Sequence, residues 1–211
     1  MALRITTFAS VVATLIFCSS TLFAGDAGSV MCELNVRERY EYYDINGKSI
    51  DDLRKQMNQN GTRWDDGHVY SGLTSWDINY VYDISSDSGG YGVKSASTKV
   101  DIIYRMPRMR PASADPEVTA LWDEYLERLQ HHEFGHKDLA VKTASEVNEI
   151  FATVPSFGST DELAQEITRR TEERFRRLKQ AQVEYDHETR HGETQGAILR
   201  GGNNQRLAAT K

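Results

Sequence analysis

The chain has 211 residues, 39% hydrophobic and 27% charged, enough for one domain with a real core and too few for two comfortable ones. The balance is that of an ordinary soluble globular protein. A formal net charge of -6 argues against nucleic acid or an anionic membrane surface as the main partner.

The first segment differs in kind from the rest. Met1 to Arg4 is a short basic start, and Ile5 to Phe23 is apolar and uncharged before polarity returns at Gly25-Asp26. This predicts a secretory signal peptide over residues 1–24, with Ala27 as the alternative end and a secreted or periplasmic mature chain. An uncleaved membrane anchor is the competing reading. A lipid-anchored form is disfavoured, because bulky Phe17 precedes Cys18. With the signal removed, Cys32 is the one remaining cysteine, which leaves no internal disulfide. Residues 25–34 read as a linker.

Next comes sheet. Val36 to Ile45 is tyrosine-rich, with Val36, Glu38, Tyr40 and Tyr42 on one face. Asn46-Gly47 turns the chain, and Ser49 with Asp52 forms a capping box for a short helix edged by Leu53 and Met57 and ended by Gly61. From Trp76, alternate residues are Trp76, Ile78, Tyr80, Tyr82 and Ile84, the period-two pattern of a half-buried strand. After Ser88-Gly89-Gly90 the alternation returns at Ala96, Thr98, Val100, Ile102 and Tyr104, and Pro107 is expected to stop it. The two runs predict an antiparallel hairpin.

The second half reads as helix. Asp115-Pro116 is a start signal, followed by an apolar stripe at 118, 122, 125, 129, 132, 136, 140, 143 and 147. Val154 to Gly158 is a loop. Ser159 or Thr160 caps a second long helix carrying Leu163, Ile167, Thr171, Phe175 and Leu178, with Gly192 just past its end. Residues 198–211 lack apolar periodicity and read as a disordered tail. The fold class expected is α+β and zincin-like: an antiparallel sheet with a short helix, then two long antiparallel helices.

The chemistry concentrates in His131-His132-Glu133-Phe134-Gly135-His136, which contains H-E-x-x-H. Residues four apart on a helix share a face, so His132 and His136 can share one Zn2+. Glu133 beside them is placed to act as general base toward a water on that metal. Both histidines fall on the apolar stripe, where buried imidazoles need polar partners and a metal supplies one to both. Gly135 costs about 1 kcal/mol of helix propensity, which makes sense if another segment must approach closely there. His131 points away from this face. The competing reading is two hydrogen-bonded core histidines.

A catalytic zinc usually has three protein ligands. Tyr185-Asp186-His187-Glu188-Thr189-Arg190-His191 is dense in candidates. With residue 160 opposite 152 in the helical hairpin, Asp186 stands ~9 Å along the axis from His132. His191 then reaches the metal if the helix ends near 186, and Asp186 or the helix-borne Glu172 is the alternative.

These segments resemble a bacterial family of proteins of unknown function described as secreted zinc-dependent proteases. The resemblance is carried by Gly72-Leu73-Thr74-Ser75-Trp76, by His132-Glu133-Phe134-Gly135-His136, and by Tyr185-Asp186, Thr189, His191-Gly192 and Gln195-Gly196. It spans roughly residues 35 to 197, one metallopeptidase domain. The resemblance implies His191 as third ligand, and a peptide or protein as substrate. Two cysteines that the family often carries, before the strand that Pro107 ends and near residue 160, are absent, so its stapling disulfide is not expected. The leading function is peptide or amide hydrolysis, with Tyr185 or His187 steadying the oxyanion. The alternatives are a non-catalytic zinc-stabilised envelope module and an amidase acting on cell-wall peptide.

Overall fold

The computed structural model describes residues 30–64, 67–110 and 115–201. The expected signal segment and residues 202–211 lie outside them. Strand β1 spans Met31–Ile45, helix α1 Ile50–Asn60, and the short strands β2 and β3 Thr62–Arg63 and Val69–Tyr70. Strands β4, Leu73–Asp87, and β5, Gly90–Met109, precede helices α2, Pro116–Thr153, and α3, Thr160–Thr189. The fold is α+β, sheet first and long helices after. Among the described residues no helix is long and apolar enough to cross a membrane.

The hairpin forms as its alternation requires. Trp76 pairs with Ile102, Ile78 with Val100 and Tyr80 with Thr98, and Asp87 opposite Gly90 leaves a two-residue turn. β5 is the central strand of three, antiparallel to β4 and parallel to β1. In the middle of the sheet, before the register shift at Asp83 and Ile84, even-numbered residues face the helices. That is why Val100, Ile102, Tyr104 and Met106 are almost fully buried while odd-numbered Ser75, Asp77 and Asn79 are exposed.

Two boundaries differ from expectation. β5 runs through Pro107 to Met109. β4 begins at Leu73 opposite Arg105, so at Pro107 only β1 flanks β5, and a missing N–H is tolerated on an open edge. β1 begins at Met31, inside the expected linker, because β5 is long enough to pair with it from Ser95 onward. Cys32 is half-buried there, its thiol 3.6 Å from the Asn148 carbonyl.

α1 carries its full capping box, with Ser49 and Asp52 each accepting from the other's backbone N–H, and Gly61 closes it. Leu53 and Met57 join the core formed by the sheet and α2. α2 starts on Asp115, whose side chain accepts from the Glu117 N–H. It buries Trp122, Tyr125, Leu129, Ala140, Thr143 and Val147 along the expected stripe. Leu199 is buried in the same core, and Arg54 Nε donates to its carbonyl at 2.7 Å. The packed chain therefore extends past the expected start of the tail at residue 198.

α2 and α3 run antiparallel, but in a different register from the one that a direct turn would impose. Glu146 pairs with Arg174, and His136 with Gln182. Each partner lies six to eight residues further along α3 than expected, a shift of about 10 Å. The cause is the connecting loop: Phe157 and Tyr91 exchange backbone hydrogen bonds of 2.9 and 2.8 Å. The loop is drawn past the end of α2 to the hairpin before it turns back.

Candidate metal centre

His132 and His136 sit one turn apart on α2, 3% and 9% exposed, and their rings meet edge to face at 4.9 Å. The register of the helical hairpin brings Asp186 directly across from them. Its Oδ1 lies 3.2 Å from His132 Nε2 and 3.0 Å from His136 Nε2. His132, His136 and Asp186 each offer a ligand atom, and these atoms lie within 4.8 Å of one another. Two imidazole nitrogens and a carboxylate oxygen are a donor set for a transition metal such as zinc.

The third member of this group is Asp186, the alternative to His191. His191 stands beside it, half-exposed, with Nδ1 3.4 Å from Asp186 Oδ1. α3 continues to Thr189, so no unwinding at 186 is needed: the register shift does what the bent segment was expected to do. The helix then stops on two consecutive left-handed residues, Arg190 at φ 50° and His191 at φ 54°, a conformation that non-glycine residues rarely adopt. The His191 N–H donates to the Asp186 carbonyl at 2.9 Å, and its ring lies against Tyr70. Glu172 is exposed and about 21 Å along α3 from Asp186, outside the group.

Glu133 is 4% exposed, and two residues of β4's approach fit it. Thr74 Oγ1 donates to Glu133 Oε2 at 2.6 Å. A Cβ on Gly72 would stand 2.5 Å from Glu133 Oε1, so only glycine leaves room for the carboxylate. Burial pushes the Glu133 carboxyl up. The Thr74 bond and the two histidines pull it back only in part, and the net direction is upward. Asp186 goes the other way: burial would raise it, but bonds to His132 and His136 hold it well below the usual carboxylate range. Two neighbouring carboxyls are thus pushed apart, the pattern that separates a proton acceptor from a permanently charged ligand.

Tyr185 closes the other side. Its ring stacks on His132 at 5.1 Å and meets His136 edge-on at 5.0 Å. Its hydroxyl end lies over Gly135, where any Cβ would collide with the Tyr185 hydroxyl and the ring carbon that bears it. The close approach expected at Gly135 is therefore made by Tyr185. Its hydroxyl donates to the His132 carbonyl at 3.2 Å and receives from Gln195 Nε2 at 3.0 Å, so its one proton is engaged within the protein. His187 is exposed on α3, about 100° round the helix from Asp186, and makes no contact with the group. His131 is exposed as well.

Residues 40–192 match the family described as bacterial protein of unknown function (DUF922). The chain belongs to this family. No curated protein and no solved structure matches it. Three stretches of the family resemblance now have physical roles: Gly72 and Thr74 cradle Glu133, the helical motif supplies His132 and His136, and the late segment supplies Asp186 and Tyr185. Gln182 was not singled out from the sequence, although its Oε1 contacts His136 Nδ1. A signal was present. Leu178, Gln182, Tyr185 and Thr189 continue the buried stripe of α3, with polar side chains at positions that should hold apolar ones.

Proposed function

We propose that this protein is a zinc-dependent hydrolase of peptide or amide bonds acting outside the cytoplasm, with the metal held by His132, His136 and Asp186. The observation that carries the reading is Glu133: a buried carboxylate, braced by Thr74, next to a three-ligand group that does not include it. A purely structural site has no use for such a group.

When bound, zinc supplies a Lewis acid that polarises a carbonyl and acidifies water. The chain's own residues do the rest. Glu133 accepts a proton, and its burial raises its affinity for that proton, the direction that favours general-base transfer. Thr74 and Gly72 fix its carboxylate. Asp186 stays ionised and offsets part of the metal charge. His191 stands next to Asp186, half-exposed. Tyr185 holds the His132 segment in place and stays protonated, because burial pushes its hydroxyl up.

The test is Glu133→Gln in the purified protein, with zinc content measured alongside cleavage of an unbiased peptide library. The expected variant keeps its zinc and loses about 100- to 10,000-fold in turnover. A parent that binds zinc and cleaves nothing would point instead to a zinc-stabilised binding module. A fully active Glu133→Gln protein would refute the mechanism.

A further inference from the structure

The two histidines are gripped at their second ring nitrogens by amides from different elements. Gln182 on α3 sets Oε1 against His136 Nδ1, and its Nε2 donates to the His136 carbonyl at 3.0 Å. Gln195, in the 3-10 turn Glu193–Gln195, sets Oε1 3.0 Å from His132 Nδ1. Its Nε2 donates to the Tyr185 hydroxyl, which donates to the His132 carbonyl. Each glutamine thus engages the ring and the backbone of one histidine, Gln182 directly and Gln195 through Tyr185.

The partners decide which way each amide faces. A carbonyl only accepts, so the Gln182 nitrogen must point at His136 O and its oxygen at Nδ1. Tyr185 has two acceptors within reach of its one proton, the His132 carbonyl at 3.2 Å and Gln195 Oε1 at 3.5 Å. With the proton on the nearer, the hydroxyl accepts from the Gln195 nitrogen at 3.0 Å, which leaves the Gln195 oxygen for His132 Nδ1. Thr189 Oγ1, 3.5 Å from the same nitrogen, donates to the Tyr185 carbonyl at 2.7 Å and so faces the ring as an acceptor too. Every group facing the two Nδ1 atoms is an acceptor, so both Nδ1 atoms carry hydrogen and both Nε2 atoms face Asp186.

We propose that Gln182 and Gln195 are positioning residues that set the tautomer of both histidines and leave Nε2 as the metal-binding nitrogen of each. The proposal rests on the metal-binding reading above. Outer partners of ligating histidines are often carboxylates, which also raise ligand basicity. A neutral amide fixes the ring without adding negative charge. With one carboxylate in the ligand group, the divalent centre keeps a net positive charge.

The test is zinc affinity by competition with a chromophoric chelator, for the parent, Gln182→Met, Gln195→Met and the matching glutamate variants. Methionine keeps the length and removes the acceptor; glutamate keeps an acceptor. Each methionine variant should bind zinc about 10- to 100-fold more weakly, and each glutamate variant within a few-fold of the parent. Methionine variants that bind like the parent overturn the proposal, as do glutamate variants that lose as much as methionine. If the parent itself binds no zinc, the metal-binding reading falls with it; parental binding that is lost in His136→Ala keeps the two separable. Should the methionine variants not fold, long-range 1H–15N spectra of the zinc-loaded parent decide. Both histidines should appear as Nδ1–H tautomers, and an Nε2–H tautomer at either one overturns the proposal.

Discussion

Glu133 shows how few contacts separate a reactive carboxylate from a buried liability. It lies between α2 and β4 with one strong side-chain hydrogen bond, from Thr74 Oγ1 at 2.6 Å. An unsatisfied buried polar group costs about 1–3 kcal/mol. Thr74→Val, which keeps the shape and removes the hydroxyl, should therefore lower unfolding stability by about that amount in chemical denaturation of the metal-free protein, with zinc content unchanged. A variant as stable as the parent would mean that the bond does not brace Glu133. The carboxylate was legible as a candidate base from H-E-x-x-H, but its cradle was not. Gly72 and Thr74 lie some sixty residues earlier, and nothing local in a strand motif says which helix it will touch.

Between elements, the decisive contact is that of α3 on α2 at Gly135. Two effects oppose each other in Gly135→Ala. Helix propensity favours alanine by about 1 kcal/mol. Against this, the added methyl would collide with the hydroxyl end of Tyr185, and overpacking of that kind costs about 1–3 kcal/mol. The clash involves a ring clamped by two histidines and a hydroxyl network, which cannot swing aside cheaply, so the net effect should be a lower melting temperature. A melting temperature at or above the parent's would show that Tyr185 does not pack as described. The same interface sets the hairpin register. Apolar spacing fixes which face of each helix is buried, but sliding one helix along another keeps those faces together. The offset that brings Asp186 to the histidines comes from the Tyr91–Phe157 contact at the far end of the helices.

At the scale of the whole molecule, the site joins three parts of the chain: α2, the end of α3 with its following turn, and the strand leading into the hairpin. A ligand that binds only the folded state stabilises it by mass action, by about 2.7 kcal/mol at a hundredfold excess over Kd. Zinc added to the metal-free protein should therefore raise its melting temperature in a concentration-dependent way. His136→Ala should abolish that shift, and Asp186→Ala should weaken it. Equal shifts in parent and His136→Ala would show that zinc acts elsewhere.

Periodicity and caps were enough to determine the order and kind of the six longer elements, but not the short strands β2 and β3 or the turn Glu193–Gln195. The 3.6-residue stripe of α2, the capping box of α1 and the period-two hairpin are local patterns, read within a few turns of chain. The motif H-E-x-x-H is local too, because one turn of helix places both imidazoles together. Two expected boundaries were wrong for a shared reason. The run of β5 past Pro107 and the start of β1 at Met31 depend on a neighbouring strand, which sequence spacing does not reveal. The burial of Leu199 likewise depends on Arg54 and the core around α1. Only the tertiary structure decided that β1 lies parallel to β5, that Asp186 rather than His191 completes the three-residue group, and that Thr74, Gln182 and Gln195 support it. Each of these depends on how far one element has slid along another, and sequence periodicity is unchanged by that sliding.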